Sequence, residues 1–260
     1  MKGYCPTLIT IAALVAMSLL FSAFRPHPFD TTFVHYTDTI AANGTTLVYE
    51  VMGRGKPVIL LHGNGGRHQD LDSAMNVLSR AGYRVYGIDS RGQGANPPVS
   101  EYHYTDMAED VYQFIHRHGL QRPVIFGWSD GGNIALQLEV THPGTCAALI
   151  TSGANIFPEG WGGRKNIEDR KARDPHPQPL RRMLYYEPTM TFHDMTTIQC
   201  PVLICAGQYD VILPSHTRTI ADSIPHGRLH IERGANHTSY VKHSTRIAHI
   251  ILDYLHTIGY

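Results

Sequence analysis

Between Val124 and Val140 the chain reads as a strand, an abrupt turn and a helix, with a serine at the bend. The apolar run Val124-Ile125-Phe126 leads into Gly127-Trp128-Ser129-Asp130-Gly131-Gly132, and Asn133 to Val140 then has helical character. A serine on so tight a turn is held in a strained backbone conformation. Its neighbours two residues away on either side must be nearly free of side chains, and Gly127 and Gly131 fill those places. In return the hydroxyl stands exposed at a helix N-terminus, where backbone N–H groups point at a developing oxyanion. G-x-S-x-G alone is a weak signal; the legible strand before it and helix after it give it weight.

Around this turn the chain alternates. Thr46 to Met52 has strand-like alternation, and Pro57 to Leu61 is a continuous apolar run, as expected of a strand buried on both faces. That run ends in the glycine-rich loop His62-Gly63-Asn64-Gly65-Gly66. Leu71, Met75 and Leu78 recur at helical spacing, Tyr83 to Ile88 is the next strand, and Met107, Val111, Phe114 and Ile115 mark another amphipathic helix. Ala147 to Thr151 is a further strand. The alternation stops over about 156–197, an insertion with prolines from Pro158 to Pro188, mixed charge and several aromatics, in which short helices are expected near 167–173 and 180–186. It resumes with a strand at Pro201–Ala206, a helix near Thr217–Ile224, a strand at Arg228–Glu232 and a closing helix carrying Ile247, Ile250, Ile251, Tyr254 and Leu255. The expected fold class is α/β, a mostly parallel central sheet flanked by helices, as one domain over 30–260 with a short cap insertion. Ligands of such sheets bind beyond the carboxyl ends of the strands.

A serine hydroxyl is a poor nucleophile at neutral pH and needs a base, usually histidine, held in tautomer by a carboxylate. On this scaffold the order is serine, acid, histidine. Asp210 follows the Pro201–Ala206 strand in Gly207-Gln208-Tyr209-Asp210, and His237 follows the last strand in Gly234-Ala235-Asn236-His237. With 17 histidines in the chain a lone His near a strand end means little; Ser129, Asp210 and His237 after three strand ends mean more. Two oxyanion donors are expected, the backbone N–H of Asp130 directly after the nucleophile and that of Asn64 in the loop after Leu61. The Asp130 carboxylate either caps the following helix or faces a cationic amine on a substrate. Trp128 either lines the pocket or packs under the turn, Trp161 of the insertion is a second aromatic candidate for substrate contact, and Arg91 is expected to tie loops together.

The stretches His62-Gly63-Asn64-Gly65-Gly66, Asp89-x-Arg91-Gly92-x-Gly94, Gly127-Trp128-Ser129-Asp130-Gly131-Gly132, Gly207-x-x-Asp210 and Gly234-x-x-His237 together resemble the α/β-hydrolase fold superfamily from about Asp38 onward. The Gly-Trp-Ser-Asp-Gly-Gly turn, with Ser152-Gly153-Ala154-Asn155 after the next strand, is most similar to the valacyclovir-hydrolase-like branch and related small carboxylesterases. The resemblance implies Ser129 as nucleophile, Asp210 as acid, His237 as base, and Asn64 and Asp130 as oxyanion donors. It sets aside branches whose nucleophile is a carboxylate. The chain departs from many relatives in Ala95-Asn96-Pro97, where they carry a serine, and in the shortness of the cap, whose side chains normally form half the pocket.

Composition bounds the partners. Lys plus Arg and Asp plus Glu are equal at 22 each, which gives no ground for a nucleic-acid partner. No H-E-x-x-H or comparable ligand set accompanies the histidines, and no phosphate-cradling glycine loop is present, so neither metal nor cofactor is expected. Cys146, Cys200 and Cys205 are expected as buried thiols. Residues 7–24 carry no charge and follow Lys2; with residues 1–25 they read as an export signal or a retained membrane anchor, giving a periplasmic, secreted or membrane-attached protein. The reading is a serine hydrolase of a small or medium carboxylic ester, its partner being that small molecule and its oligomeric state open. An amidase or aminopeptidase on the same triad, and a non-catalytic ligand-binding member of the fold, remain as alternatives.

Overall fold

The computed structural model describes residues 33–260, of which Val34–Tyr260 form one compact unit. The leader expected at 1–25 lies outside the described residues. Among the described residues no helix is long and apolar enough to cross a membrane.

The strands are His35–Ala42 (β1), Thr45–Met52 (β2), Lys56–Leu61 (β3), Tyr83–Ile88 (β4), Val124–Trp128 (β5), Ala148–Ser152 (β6), Val202–Tyr209 (β7) and Gly227–Asn236 (β8). They form one sheet in the order β1-β2-β4-β3-β5-β6-β7-β8. β1 and β2, and β2 and β4, pair antiparallel; every other neighbouring pair is parallel. The connecting helices are Asp72–Arg80 (α1), Tyr104–Arg117 (α2), Asp130–Thr141 (α3), Pro214–Ser223 (α7) and Arg246–Thr257 (α8), with Arg164–Arg173 (α4), Pro179–Tyr186 (α5) and Phe192–Met195 (α6) inside the insertion.

The apolar runs expected as buried strands are buried on both faces, and successive side chains serve opposite layers. Val58 and Leu60 of β3 join Met75 and Leu78 of α1 and Ile247 and Ile251 of α8 in one core. Ile59 and Leu61 join Phe114 of α2 and Ile134 of α3 in the other. All four β3 side chains are excluded from water, each contributing about 1.5–3 kcal/mol through burial. Cys146, Cys200 and Cys205 are buried thiols.

Two elements were not expected from the sequence, the short α6 of the insertion and β1. The segment ahead of β2 reads as a polar linker, yet it is an eight-residue strand paired with β2 along its whole length, from His35↔Met52 to Ala42↔Thr45. It lies at the sheet edge and is mostly exposed, so it carries no apolar alternation. Its partner is set by the turn: Asn43 and Gly44 both take positive φ, 45° and 74°, the backbone that a two-residue hairpin needs.

The topology determines where a site can form. After β3 the chain moves to β4 on one side, then crosses back so that β5 lies on the other side of β3. The loops leaving the carboxyl ends of β3 and β5 therefore diverge from adjacent strands and leave a crevice between them. The loop after β3 is His62–Gly66 and the turn after β5 holds Ser129.

Candidate active site

Ser129 sits between β5 and α3 with φ 55° and ψ −116°, a conformation that costs a non-glycine residue about 1–3 kcal/mol unless its surroundings enforce it. They do so through three backbone bonds. Ser129 N–H donates to the Ser152 carbonyl of β6 at 2.7 Å, and the Ser129 carbonyl accepts from Gly132 and Asn133 at 2.8 and 3.1 Å. The tightness explains Gly131. A Cβ there would lie 2.2 Å from the Leu61 carbonyl oxygen and 2.8 Å from that of His62, so the first turn of α3 packs directly on the backbone leaving β3.

Ser129 Oγ lies 3.0 Å from His237 Nε2, and His237 Nδ1 lies 2.7 Å from Asp210 Oδ1. The three come from the ends of β5, β8 and β7. The Asp210 side chain is almost wholly buried, and its carboxylate also accepts from the N–H groups of Ile212 and Gly207, at 3.0 and 3.2 Å. Burial alone would raise its pKa, but the hydrogen bond and charge of His237, with those two N–H donors, outweigh it and hold the carboxyl below its ordinary range. His237 is placed from two sides. Its carbonyl accepts from Trp128 Nε1 at 2.9 Å, and Gly153, at φ 64°, lets the backbone after β6 approach the ring so closely that a Cβ there would lie 2.5 Å from Cε1.

The oxyanion donors expected from the sequence flank this chain. Asp130 is the first residue of α3, so its N–H has no intrahelical acceptor. Asn64 lies inside the turn closed by Gly66 N–H to the Gly63 carbonyl at 3.0 Å, which leaves the Asn64 N–H outside the turn's own bond. Gly65 N–H donates to Gln93 Oε1 at 2.7 Å. His62 bolts the loop to its neighbour: its Nδ1 donates to the Gly63 carbonyl at 2.8 Å and its Nε2 accepts from Ser90 N–H at 2.9 Å. Burial lowers the His62 pKa, which keeps the ring neutral and able to accept that bond.

The Asp130 carboxylate takes neither of its two expected roles, and Trp128 takes the second of its two. The Asp130 carboxylate neither caps α3, which has no side-chain cap, nor is free for an amine. It is 3% exposed, Oδ2 accepts from Asn64 Nδ2 at 2.8 Å and Oδ1 accepts from the Tyr104 hydroxyl at 2.8 Å. Desolvation raises its pKa, with the Asn64 and Tyr104 bonds and His237 opposing. Asp130 thus ties the loop after β3 to α2, a role invisible in sequence because Tyr104 is 26 residues away. Trp128 packs beneath the turn instead of lining a pocket; its ring lies 3.3 Å from where a Gly63 Cβ would be. Arg91 does tie loops, with Nε donating to Asp110 at 2.7 Å and a terminal nitrogen to the Asn43 carbonyl at 3.3 Å.

The Ser129 hydroxyl opens onto a cavity of about 270 Å³. Asn64, Ser129, Asp130, Asn155 and His237 line its floor, Val211 and Ile212 after β7 supply one apolar wall, and Trp161, Arg170 and Leu184 of the insertion supply the rest. Trp161, a candidate from the sequence, lies on this cavity. Val211 and Ile212 carry a usable signal, an apolar pair directly after Asp210; Arg170 and Leu184 carry none beyond lying in the insertion. Among the described residues no cluster of His, Cys, Asp and Glu is arranged to hold a metal.

A family model of the alpha/beta hydrolase fold matches residues 56–161. The AB hydrolase superfamily protein YisY of Bacillus subtilis (strain 168) is 37% identical over 132 residues, 49% of this chain and 48% of that protein. A probable alcohol acetyltransferase of Saccharomyces cerevisiae is 36% identical over 98 residues, 36% of this chain and 29% of that protein, so with both the chain shares half the length or less. Serine hydrolase BPHL of Mus musculus is 24% identical over 251 residues, 83% of this chain and 85% of that protein. Among solved structures, the esterase EaEST from Exiguobacterium antarcticum shares the fold with a TM-score of 0.71 at 24% identity, over 85% of this chain and 100% of that one.

Proposed function

The chain is an α/β-hydrolase by fold, and from that premise we propose that it is a serine hydrolase of small or medium carboxylic esters, working through Ser129, His237 and Asp210. The observation that carries the reading is the hydrogen-bonded chain from Ser129 Oγ through His237 to the buried Asp210 carboxylate, opening onto a cavity. The similarity to serine hydrolase BPHL and to an esterase structure supports it.

In this mechanism His237 Nε2 takes the hydroxyl proton as Ser129 Oγ attacks the ester carbonyl carbon. The tetrahedral oxyanion accepts from the Asn64 and Asp130 N–H groups, which are fixed before the charge appears; one such donor is worth about 10²–10³ in kcat. As the intermediate collapses, the bond to the alcohol oxygen breaks and His237 returns the proton to it. Water then attacks the acyl-enzyme with His237 again as base, and the acid departs as Ser129 regains its proton. Asp210 keeps the Nδ1–H tautomer throughout and stabilises the imidazolium.

The test is hydrolysis of 4-nitrophenyl acetate, butyrate and octanoate by the full chain and by its Ser129→Ala variant. Turnover of the shorter esters that disappears in the variant is expected, with octanoate disfavoured by so small a cavity. A variant as active as the parent would overturn the assignment. Export, or membrane attachment through residues 7–24, belongs to the same proposal; Edman sequencing of protein recovered outside the cell should read a new N-terminus near residue 25 if the leader is cleaved.

A further inference from the structure

Arg170 lines the same cavity as Ser129, and among the described residues no carboxylate pairs with it. Its guanidinium lies over the Trp161 ring, 3.7 Å from the centroid. Its Nε donates to Asn166 Oδ1 at 3.2 Å, one helical turn earlier on α4, and Asn166 Nδ2 donates to the Trp161 carbonyl at 2.7 Å. One asparagine thus fixes both the arginine and the backbone of the aromatic beneath it. A guanidinium held at its Nε edge and over one face keeps its terminal N–H groups for another partner, and their fork matches a carboxylate in bidentate geometry.

The other charged groups of the cavity do not supply that partner. The Asp130 carboxylate is occupied by Asn64 and Tyr104, and His237 is engaged with Ser129 and Asp210. Of the other cations of the insertion, Lys165 pairs with Asp169 and Arg181 with Asp174, while Lys171 and Arg182 lie over the Tyr186 ring, away from this cavity's lining. Arg170 is directed onto an aromatic at the pocket wall. Leu184, Val211 and Ile212 line the same cavity and give it apolar surface suited to a short methylene chain.

Building on the ester-hydrolase reading above, we propose that Arg170 selects substrates: the cavity takes an ester bearing a carboxylate, with the anion on Arg170 and the scissile carbonyl at Ser129. A half-ester of a short dicarboxylic acid has this chemistry. A neutral ester of equal length fills the cavity but leaves the guanidinium without its anion.

The experiment compares mono-4-nitrophenyl glutarate with 4-nitrophenyl pentanoate, which differ in charge but little in length, on the full chain, Arg170→Gln and Arg170→Lys. The expected result is a kcat/KM ratio favouring the glutarate ester in the parent. That ratio should fall roughly tenfold or more in Arg170→Gln, the scale of a charged hydrogen bond, and by less in Arg170→Lys. A ratio unchanged by Arg170→Gln, whether or not both rates drop together, would overturn the proposal and leave Arg170 as cap packing. Calorimetric binding of both esters to Ser129→Ala, with and without Arg170→Gln, separates this from the catalytic reading. If the parent turns over neither ester, the hydrolase assignment fails. Arg170 is then judged on binding alone: weakening of the anionic ester about tenfold supports it, and equal binding of the two esters sinks it.

Discussion

One added carbon at residue 131 would lie 2.2 Å from a backbone oxygen that β3 holds in place. Gly131→Ala is therefore expected to destabilise the chain by about 1–3 kcal/mol, the usual cost of overpacking, and to displace the loop carrying Asn64. Urea unfolding measures it; a loss under about 0.5 kcal/mol, the ordinary surface range, would mean that the loop after β3 can retreat. Asp130 offers a sharper test. Asp130→Ala removes the acceptor for two buried donors and should lower kcat more than it alters KM, because the Asn64 N–H loses its anchor. Asp130→Asn can still accept from Asn64 and donate to Tyr104, and should keep most of the activity. The Asp130 carboxyl has a raised pKa in the folded state, so its ionisation costs stability. The stability of Asp130→Asn relative to the parent should rise as pH climbs from the ordinary carboxyl range through that raised value. Parallel melts at pH 4 and pH 8 would expose an opposite or absent trend. The convergence of Ser129, Asp210 and His237 was legible because each follows a strand end at the same edge of the sheet. The partners of Asp130 were not, since a hydrogen bond between elements leaves no spacing in the sequence.

Among the elements, α7 and the start of the insertion meet through His216. Its Nε2 accepts from the Ile156 N–H at 3.1 Å, and its ring packs edge-on against Phe157 with centroids 4.5 Å apart. Burial pushes the imidazole down to about 4, against a weaker opposing pull from Glu159. A histidine whose folded pKa lies below its unfolded value has its full stabilising effect above about pH 6.5 and loses it as pH falls toward 4. Between pH 7 and pH 4.5 that amounts to about 2–3 kcal/mol, at about 1.4 kcal/mol per unit. His216→Gln should flatten this part of the acid dependence in urea titrations, and equal slopes for the two chains would rule the mechanism out. Two of the three helices of the insertion, α4 and α5, were visible from their spacing, beginning three residues and one residue earlier than the apolar pattern does, whereas the four-residue α6 was not. β1 was hidden because its side chains face water and its stability comes from backbone pairing with β2. The one usable signal was Asn43-Gly44, whose two left-handed residues turn the chain back on itself.

Over the whole described chain, the last residue closes on one of the first parallel strands. Tyr260 donates its hydroxyl to the Pro57 carbonyl at 3.1 Å, stacks on Tyr83 with centroids 6.2 Å apart, and lies under the Lys56 ammonium at 4.7 Å. Tyr260→Ala should cost about 2 kcal/mol and Tyr260→Phe about 1, the difference being the ring contacts. Identical losses in guanidinium unfolding would show that the ring contributes nothing. The global arrangement was readable because alternation of strand and helix constrains topology strongly. The cavity was only half readable: its floor comes from motif-bearing strand ends, whereas Arg170 and Leu184 stand on helices whose placement depends on tertiary packing. That same division has an evolutionary meaning. On the proposed function, the bond-breaking groups hang from the sheet while Trp161, Arg170 and Leu184 belong to one contiguous insertion, so mutation there would explore new substrates while the reaction is preserved. A library randomised at those three codons, selected on esters of differing charge, would sample specificity almost independently of turnover.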